Sequence, residues 1–382
     1  MKGEERGVRS EERNGVRVDP SPLTPHPSRS IMIMAGGTGG HIFPALAVAE
    51  HLRGQGWNVV WLGVRGGMEE RLIPARGYAM AWVRFAGVRG RGPVALALLP
   101  FNLLVAFWQS ARAIFAHRPD MVLGMGGYVS FPGAMMASFL KRPLVIHEQN
   151  SIAGLANRVL AKLADRVLTT FPNAFGEATA VIWTGNPVRQ EIVAMSPPEN
   201  RYASRAGQMR LLVVGGSQGA QALNTVVPEA LALISANARP RVLHQAGAGH
   251  TDPVRSRYQE LGVAAEVVPF IDDMAARYAE TDLIICRAGA TTVAEIAAAG
   301  IASVLVPYPH SVDDHQTINA RFLADHGAAL LIPQRELTAQ RLAEVVAGLN
   351  RDRLVGMAQA ARAVGRPEAT RAVAQVCMEL AA

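Results

Sequence analysis

Two glycine-rich loops share one pattern, and only the first carries a group able to move a proton. Residues 31–52 read IMIMAGGTGGHIFPALAVAEHL, and residues 211–231 read LLVVGGSQGAQALNTVVPEAL. With Gly36 aligned on Gly215, His41 falls opposite Ala220. Each copy is an apolar run, a cluster of small residues, then a helical pattern. Such a turn offers backbone N–H groups at a helix start, which suits a phosphate. Gly37, Thr38, Gly39 and Gly40 form the first cradle, and Ser217 adds a hydroxyl to the second. A histidine at a helix start is favoured as a neutral proton acceptor; the bland alternative is a packed or capping histidine. GxxxxGK[ST] is absent and the GxGxxG spacing fails. No acidic residue follows the second strand at 61–63 to hold a ribose, so a nicotinamide enzyme is disfavoured.

Further polar stretches follow strand-like runs. GMGGYVSFPG, 124–133, is a third glycine loop, and Gly126, Gly127 and Tyr128 extend the cradle toward a diphosphate-sized anion. HEQN, 147–150, offers Glu148 as a general base or an orienting acceptor, and Asn150 as a hydroxyl binder; a plain surface loop is the alternative. In CRAGATTVAE, 286–295, Arg287 supplies charge, Gly289 a turn, and a helix opens at about Thr292. Glu295 either completes a capping box with Thr292 or bonds both hydroxyls of a ribose, and the sequence leaves both open. HSVDDHQTINA, 310–320, holds His310, Asp313, Asp314 and His315 without regular ligand spacing. With neither HExxH nor DxD present, no metal is expected, and contacts to a sugar fit better, Gln316 and Asn319 especially.

These residues need a frame to hold them. Strand-like runs (NVVWLG, MVLGMGG, PLVIHEQN, RVLTTF, then LLVVGG, RVLHQAG, AEVVPFI, LIICRAG and SVLVPYP) alternate with helical ones. That alternation predicts parallel sheets of βαβ units, with ligands beyond the carboxyl ends of the strands. The chain has 382 residues, 49% apolar and 18% charged, which points to two α/β domains rather than one core. The expected boundaries are a disordered extension over 1–30, a first domain over 31–189 and a second over 190–366. The polar stretch 195–208 reads as the linker region. The last helix, 367–382, is expected to pack back on the first domain.

A net charge of +7 permits an anionic partner, but no nucleic-acid motif is visible. Cys286 and Cys377 form no CxxC, and no signal peptide is visible, so a reducing cytoplasm fits. The apolar run 94–108 is broken by Pro100 and Asn102 and falls short of the roughly 20 residues a span needs. If Phe101, Leu104, Phe107 and Trp108 share a helix face, they suit a bilayer interface, with Arg84, Arg89, Arg91 and Arg112 on anionic headgroups. A core helix is the competing reading.

Taken in order, AGGTGGHIFPALAVA, GMGGYVSFPG, HEQNSIAGLANR, GNPVR, GGSQGA, FIDDM, CRAGATTVAE and DDHQTINA resemble the MurG family, the peptidoglycan N-acetylglucosaminyltransferases that make lipid II from lipid I. The resemblance runs from Ile31 to the C-terminus. It implies an α/β GT-B fold, two Rossmann-like doubly wound domains facing across a deep cleft. It implies inverting transfer of GlcNAc from UDP-GlcNAc to the 4-hydroxyl of MurNAc in undecaprenyl-diphospho-MurNAc-pentapeptide, with no cofactor. The second domain would hold the donor, with Ile271 backbone atoms on uracil and Glu295 on the ribose. Ser217, Arg189 and the amides of Ala290, Thr291 and Thr292 would lie near the diphosphate, with Gln316 and Asn319 on the GlcNAc. Thr38, Gly39, Gly40 and Asn150 would complete the donor site. Gly37, Gly126, Gly127 and Tyr128 would face the acceptor diphosphate. One-step inversion needs one base on the acceptor side: His41 first, Glu148 second. The expected setting is peripheral, on the cytoplasmic face of the plasma membrane, among anionic lipids and with cell-wall synthesis and division proteins as partners. The competing readings are a diacylglycerol glycosyltransferase, a UDP-GlcNAc 2-epimerase, or a non-catalytic lipid-carrier scaffold.

Overall fold

The computed structural model describes residues 29–85, 92, 94, 97–177, 179–216 and 219–381. Most of the expected extension, together with Arg89, Arg91 and Ser217, lies outside the described residues. Two wholly parallel sheets organise the chain. The first has the order β3-β2-β1-β4-β5-β6-β7, where β1 is Ser30–Met34, β2 Asn58–Gly63, β3 Ala79–Trp82, β4 Met121–Gly124, β5 Leu144–Glu148, β6 Arg166–Thr169 and β7 Ile182–Trp183. The second has the order β10-β9-β8-β11-β12-β13, where β8 is Arg210–Val214, β9 Arg241–Gln245, β10 Ala265–Val268, β11 Leu283–Cys286, β12 Ala302–Leu305 and β13 Ala329–Leu331. Parallel strands covered on both faces must be apolar throughout, as IMIM and LIIC are.

Register places the functional loops together. Met34 pairs with Leu62 and with Gly124, so β1, β2 and β4 end level and their following turns adjoin. Cys286 pairs with Val214 and with Leu305 in the same way. Strand order reverses on either side of β1 and of β8, which opens a crevice at the carboxyl edge of each sheet.

The linker region is more structured than its composition predicts. Helix Pro198–Ala203 packs on helix Arg351–Val364, and Tyr202 enters the second domain's core and donates its hydroxyl to Asp282 O at 2.6 Å. Helix Ala369–Leu380 leaves that domain and packs on helix Gly39–Gly54 of the first. There Val373, Ala374 and Cys377 join Ile42, Leu46 and Ala49 in one core. The two strands of chain that cross between domains touch each other. Gly185, at φ +83°, sits where a Cβ would lie 2.5 Å from Arg366 Cβ. The Arg366 guanidinium covers the Trp183 ring at 3.6 Å.

Candidate functional site

The glycine loops that follow β1 and β4, the first and third of the sequence, form one wall rather than two sites. After β1 the chain turns at Gly37, φ +89°, and enters helix Gly39–Gly54. Buried Glu69 accepts from Gly37 N and Val64 N, each at 3.3 Å, and fixes the loop. Gly127, φ +83°, backs onto it so closely that a Cβ would lie 2.2 Å from Gly36 O. Gly126, φ +91°, presses on His41, where a Cβ would lie 2.6 Å from Nδ1. Only glycine satisfies both the backbone angle and the approach at these two positions.

His41 is the third residue of its helix and is half-buried. Its Nδ1 lies 2.9 Å from Gln149 Oε1. In the second loop the helix begins only at Gln221, with Ala220 as the residue before it, so the two turns differ where the histidine stands.

Glu148 is buried at the end of β5. Its Oε1 accepts from Asn150 N at 2.9 Å and Asn150 Nδ2 at 3.4 Å; its Oε2 accepts from Asn157 Nδ2 at 2.8 Å and Gly154 N at 3.2 Å. Four donors engage the carboxylate, which gathers residues 150–157 around itself. Of the two roles open to Glu148, general base or orienting acceptor, this arrangement has the geometry of the acceptor.

Across the cleft, helix Ala290–Ala299 is capped at Gly289 and starts earlier than its sequence suggests. Thr292 is therefore inside the helix, and no capping box forms with Glu295. The Glu295 carboxylate instead accepts from Arg189 Nε at 3.2 Å, Arg189 Nη2 at 2.8 Å and Tyr278 Oη at 3.1 Å. Burial raises the Glu295 carboxyl pKa, and the Arg189 guanidinium opposes the rise.

The two domains meet at hydrogen-bonded points. Thr291 Oγ1 donates to Gly40 O at 3.0 Å and accepts from Asn186 Nδ2 at 3.3 Å, which brings the start of one helix to the start of the other. Asn319 is fully buried: Oδ1 accepts from Ser151 N at 3.0 Å and Nδ2 donates to Ala288 O at 3.1 Å. In this arrangement both ends of its amide are engaged, and it joins the domains. Arg287 is likewise spent on Val306 O, Pro307 O and Gln334 Oε1. Gln316 is half-buried and accepts from Tyr308 N at 3.0 Å. Ile271 is buried just before the helix that Asp273 caps, and Tyr128 stands exposed. Among the described residues, no three of His, Cys, Asp and Glu come together as metal ligands.

Helix Leu99–His117 turns an apolar stripe to solvent. Phe101, Leu104 and Trp108 are 65%, 66% and 62% exposed, with Leu98 and Phe115 continuing the stripe. Phe107 does not belong to it: it turns inward and its ring lies 6.3 Å from that of Phe131. Beside the stripe a cavity of about 540 Å³ is lined by Arg65, Arg84, Arg112, Trp82, Trp108 and His117, among others. No helix among the described residues is long and apolar enough to cross a membrane.

The fold and site meet known proteins along nearly the whole chain. Residues 31–169 match the glycosyltransferase family 28 N-terminal domain, and residues 210–376 its C-terminal domain. The UDP-N-acetylglucosamine–N-acetylmuramyl-(pentapeptide) pyrophosphoryl-undecaprenol N-acetylglucosamine transferase of Nitrosospira multiformis is 58% identical over 93% of this chain and 99% of its own. The protein of that name from Aromatoleum aromaticum is 60% identical over 93% and 98%. The crystal structure of Acinetobacter baumannii MurG superposes with a TM-score of 0.79 at 40% identity, over 92% of this chain and 99% of that one. A UDP-GlcNAc 2-epimerase from Neisseria meningitidis, at TM-score 0.62 and 12% identity over 92% and 100%, shares the fold alone. A GT-B frame of two Rossmann-like domains, both family 28 domains in order, and full-length relatives at such identity place this chain in one family: it belongs to the MurG N-acetylglucosaminyltransferases of glycosyltransferase family 28.

Proposed function

We infer that this chain moves GlcNAc from UDP-GlcNAc to the 4-hydroxyl of MurNAc in undecaprenyl-diphospho-MurNAc-pentapeptide, converting lipid I to lipid II for peptidoglycan. The observation that carries the reading is the meeting of two helix starts, at Gly40 and Thr291, beside Arg189 and His41. UDP leaves with growing negative charge. The first-turn N–H groups of both helices and the Arg189 guanidinium stabilise that charge. His41 takes the proton of the attacking hydroxyl as the anomeric carbon inverts. Glu148 is the weaker choice for base, since four donors hold its carboxylate.

The second domain binds the donor through Ile271, Glu295, Ser217, Gln316 and the amides of Ala290, Thr291 and Thr292. Thr38, Gly39, Gly40 and Asn150 complete the donor site, and Gly37, Gly126, Gly127 and Tyr128 line the acceptor diphosphate. Glu295 reaches a ribose by giving up part of its bond to Arg189, which frees that guanidinium for phosphate. The stripe of Phe101, Leu104 and Trp108, with the arginine-lined cavity beside it, supports peripheral binding to anionic lipid on the cytoplasmic face, where the acceptor is carried.

The test is transfer of radiolabel from UDP-GlcNAc to a lipid I analogue with EDTA present. Label in the lipid product supports the reaction and its independence of metal. UDP-GlcNAc bound without transfer would point to a different acceptor, and loss of donor binding altogether would favour the scaffold reading.

A further inference from the structure

The groups behind His41 determine which of its nitrogens can accept a proton. His147 is fully buried, and burial pushes its pKa down to about 4, so the ring is neutral. Its Nε2 lies 2.9 Å from Gly185 O. A carbonyl only accepts, so Nε2 carries the hydrogen and Nδ1 is left with a bare lone pair. Gln149 Nε2 lies 3.1 Å from that Nδ1 and 3.3 Å from His147 O. Both are acceptors, which fixes the amide with its NH2 toward His147 and its Oε1 toward His41. The Gln149 Oε1, 2.9 Å from His41 Nδ1, is again only an acceptor. His41 must therefore hold its hydrogen on Nδ1. The Gly126 backbone closes the same edge of the ring. The lone pair is on Nε2, away from Gln149.

We propose that Gln149 and His147 are positioning residues that hold His41 as its Nδ1–H tautomer, leaving Nε2 as the proton acceptor. The inference rests on the reading of His41 as the base. The chain runs Gly185 O, His147, Gln149, His41, and each hydrogen points one way. When Nε2 takes the hydroxyl proton, the imidazolium keeps its Nδ1–H bond to an uncharged amide oxygen. Gly185 sits at the crossing between the domains, so the reference point of this chain is the interdomain connection itself.

The test compares wild type, Gln149→Met and Gln149→Glu by 15N-detected tautomer NMR of His41, assigned with His41→Ala, alongside transfer kinetics. Methionine keeps the volume and replaces the amide oxygen with a weakly accepting thioether: the expected result is a mixed tautomer and a kcat about tenfold lower, with the KM for UDP-GlcNAc unchanged. A glutamate carboxylate still accepts from Nδ1–H, so that variant keeps the wild-type tautomer even if it folds less stably. A wild-type His41 with its hydrogen on Nε2, or a Gln149→Met protein with an unchanged tautomer, overturns the proposal. An Nδ1–H tautomer that is lost in Gln149→Met, in an enzyme that His41→Ala leaves fully active, supports the positioning and removes His41 as base.

Discussion

Glu295 offers the sharpest separation of structure from chemistry. Replacing it with alanine removes the acceptor of two guanidinium N–H bonds from Arg189 and one hydroxyl bond from Tyr278. Tyr278 is buried, so its orphaned hydroxyl alone costs about 1–3 kcal/mol. Breaking a buried ion pair from one side costs about 3–5 kcal/mol. The Arg189 side chain, however, is 30% exposed, and water recovers part of its charge. The expected loss is therefore at the low end, about 2–3 kcal/mol, read as a lower urea midpoint at constant slope. Glu295→Gln keeps an acceptor for Arg189 and should cost about 1 kcal/mol. If the carboxylate also holds the ribose hydroxyls, calorimetric titration will show UDP-GlcNAc bound at least about tenfold more weakly by the alanine variant, since bonds to a charged group are worth about 1.5–3 kcal/mol. Unchanged affinity in a folded alanine variant would sink the ribose assignment. A urea midpoint equal to wild type would sink the account of the Arg189–Glu295–Tyr278 cluster.

Three further outcomes are expected. His41→Ala should bind UDP-GlcNAc normally and lose about 10²–10⁴ in kcat, measured by radiolabel transfer, and near-normal turnover would move the base elsewhere. Trp108→Ala should weaken partition into anionic vesicles about tenfold in a flotation assay, since a large apolar side chain contributes about 1.5–3 kcal/mol when buried, while its exposure leaves the urea midpoint unmoved. Burial lowers the His244 pKa from 6.5 to about 4, so the unfolded chain takes up the proton first. Its contribution is complete above pH 6.5 and is lost as pH falls toward 4, about 3 kcal/mol in all; His244→Gln should remove one proton from the slope of stability over that window.

The sheets were readable because buried parallel strands leave apolar runs, and NVVWLG is strand from end to end. β3, β7 and β13 escaped notice because they are short edge strands without a β-branched run. The three glycine loops were legible by type. That Gly127 lies against Gly36 depends on β1 and β4 ending level, which is a matter of register. HEQN was legible as polar and not as divided labour. Along β5 and its exit His147 and Gln149 turn one way, toward His41, while Glu148 turns the other, into its own loop. Spacing alone could not show that Asn319 would bond Ser151 or that Phe107 would roll inward, since each depends on an element distant in the chain.

The last helix has a consequence for how the molecule is made. The first domain's core includes Val373, Ala374 and Cys377, which follow the whole second domain in the chain. The first domain therefore waits for residues beyond the second before its Gly39–Gly54 helix is covered, whereas the second domain draws on the first only through nearby Phe171 and Val188, which precede it in the chain. Nascent chains generally fold domain by domain from the N-terminus. Here the order is reversed at the final step, and removing Ala369–Leu380 would uncover the first domain's Gly39–Gly54 helix while leaving the second domain's sheet covered.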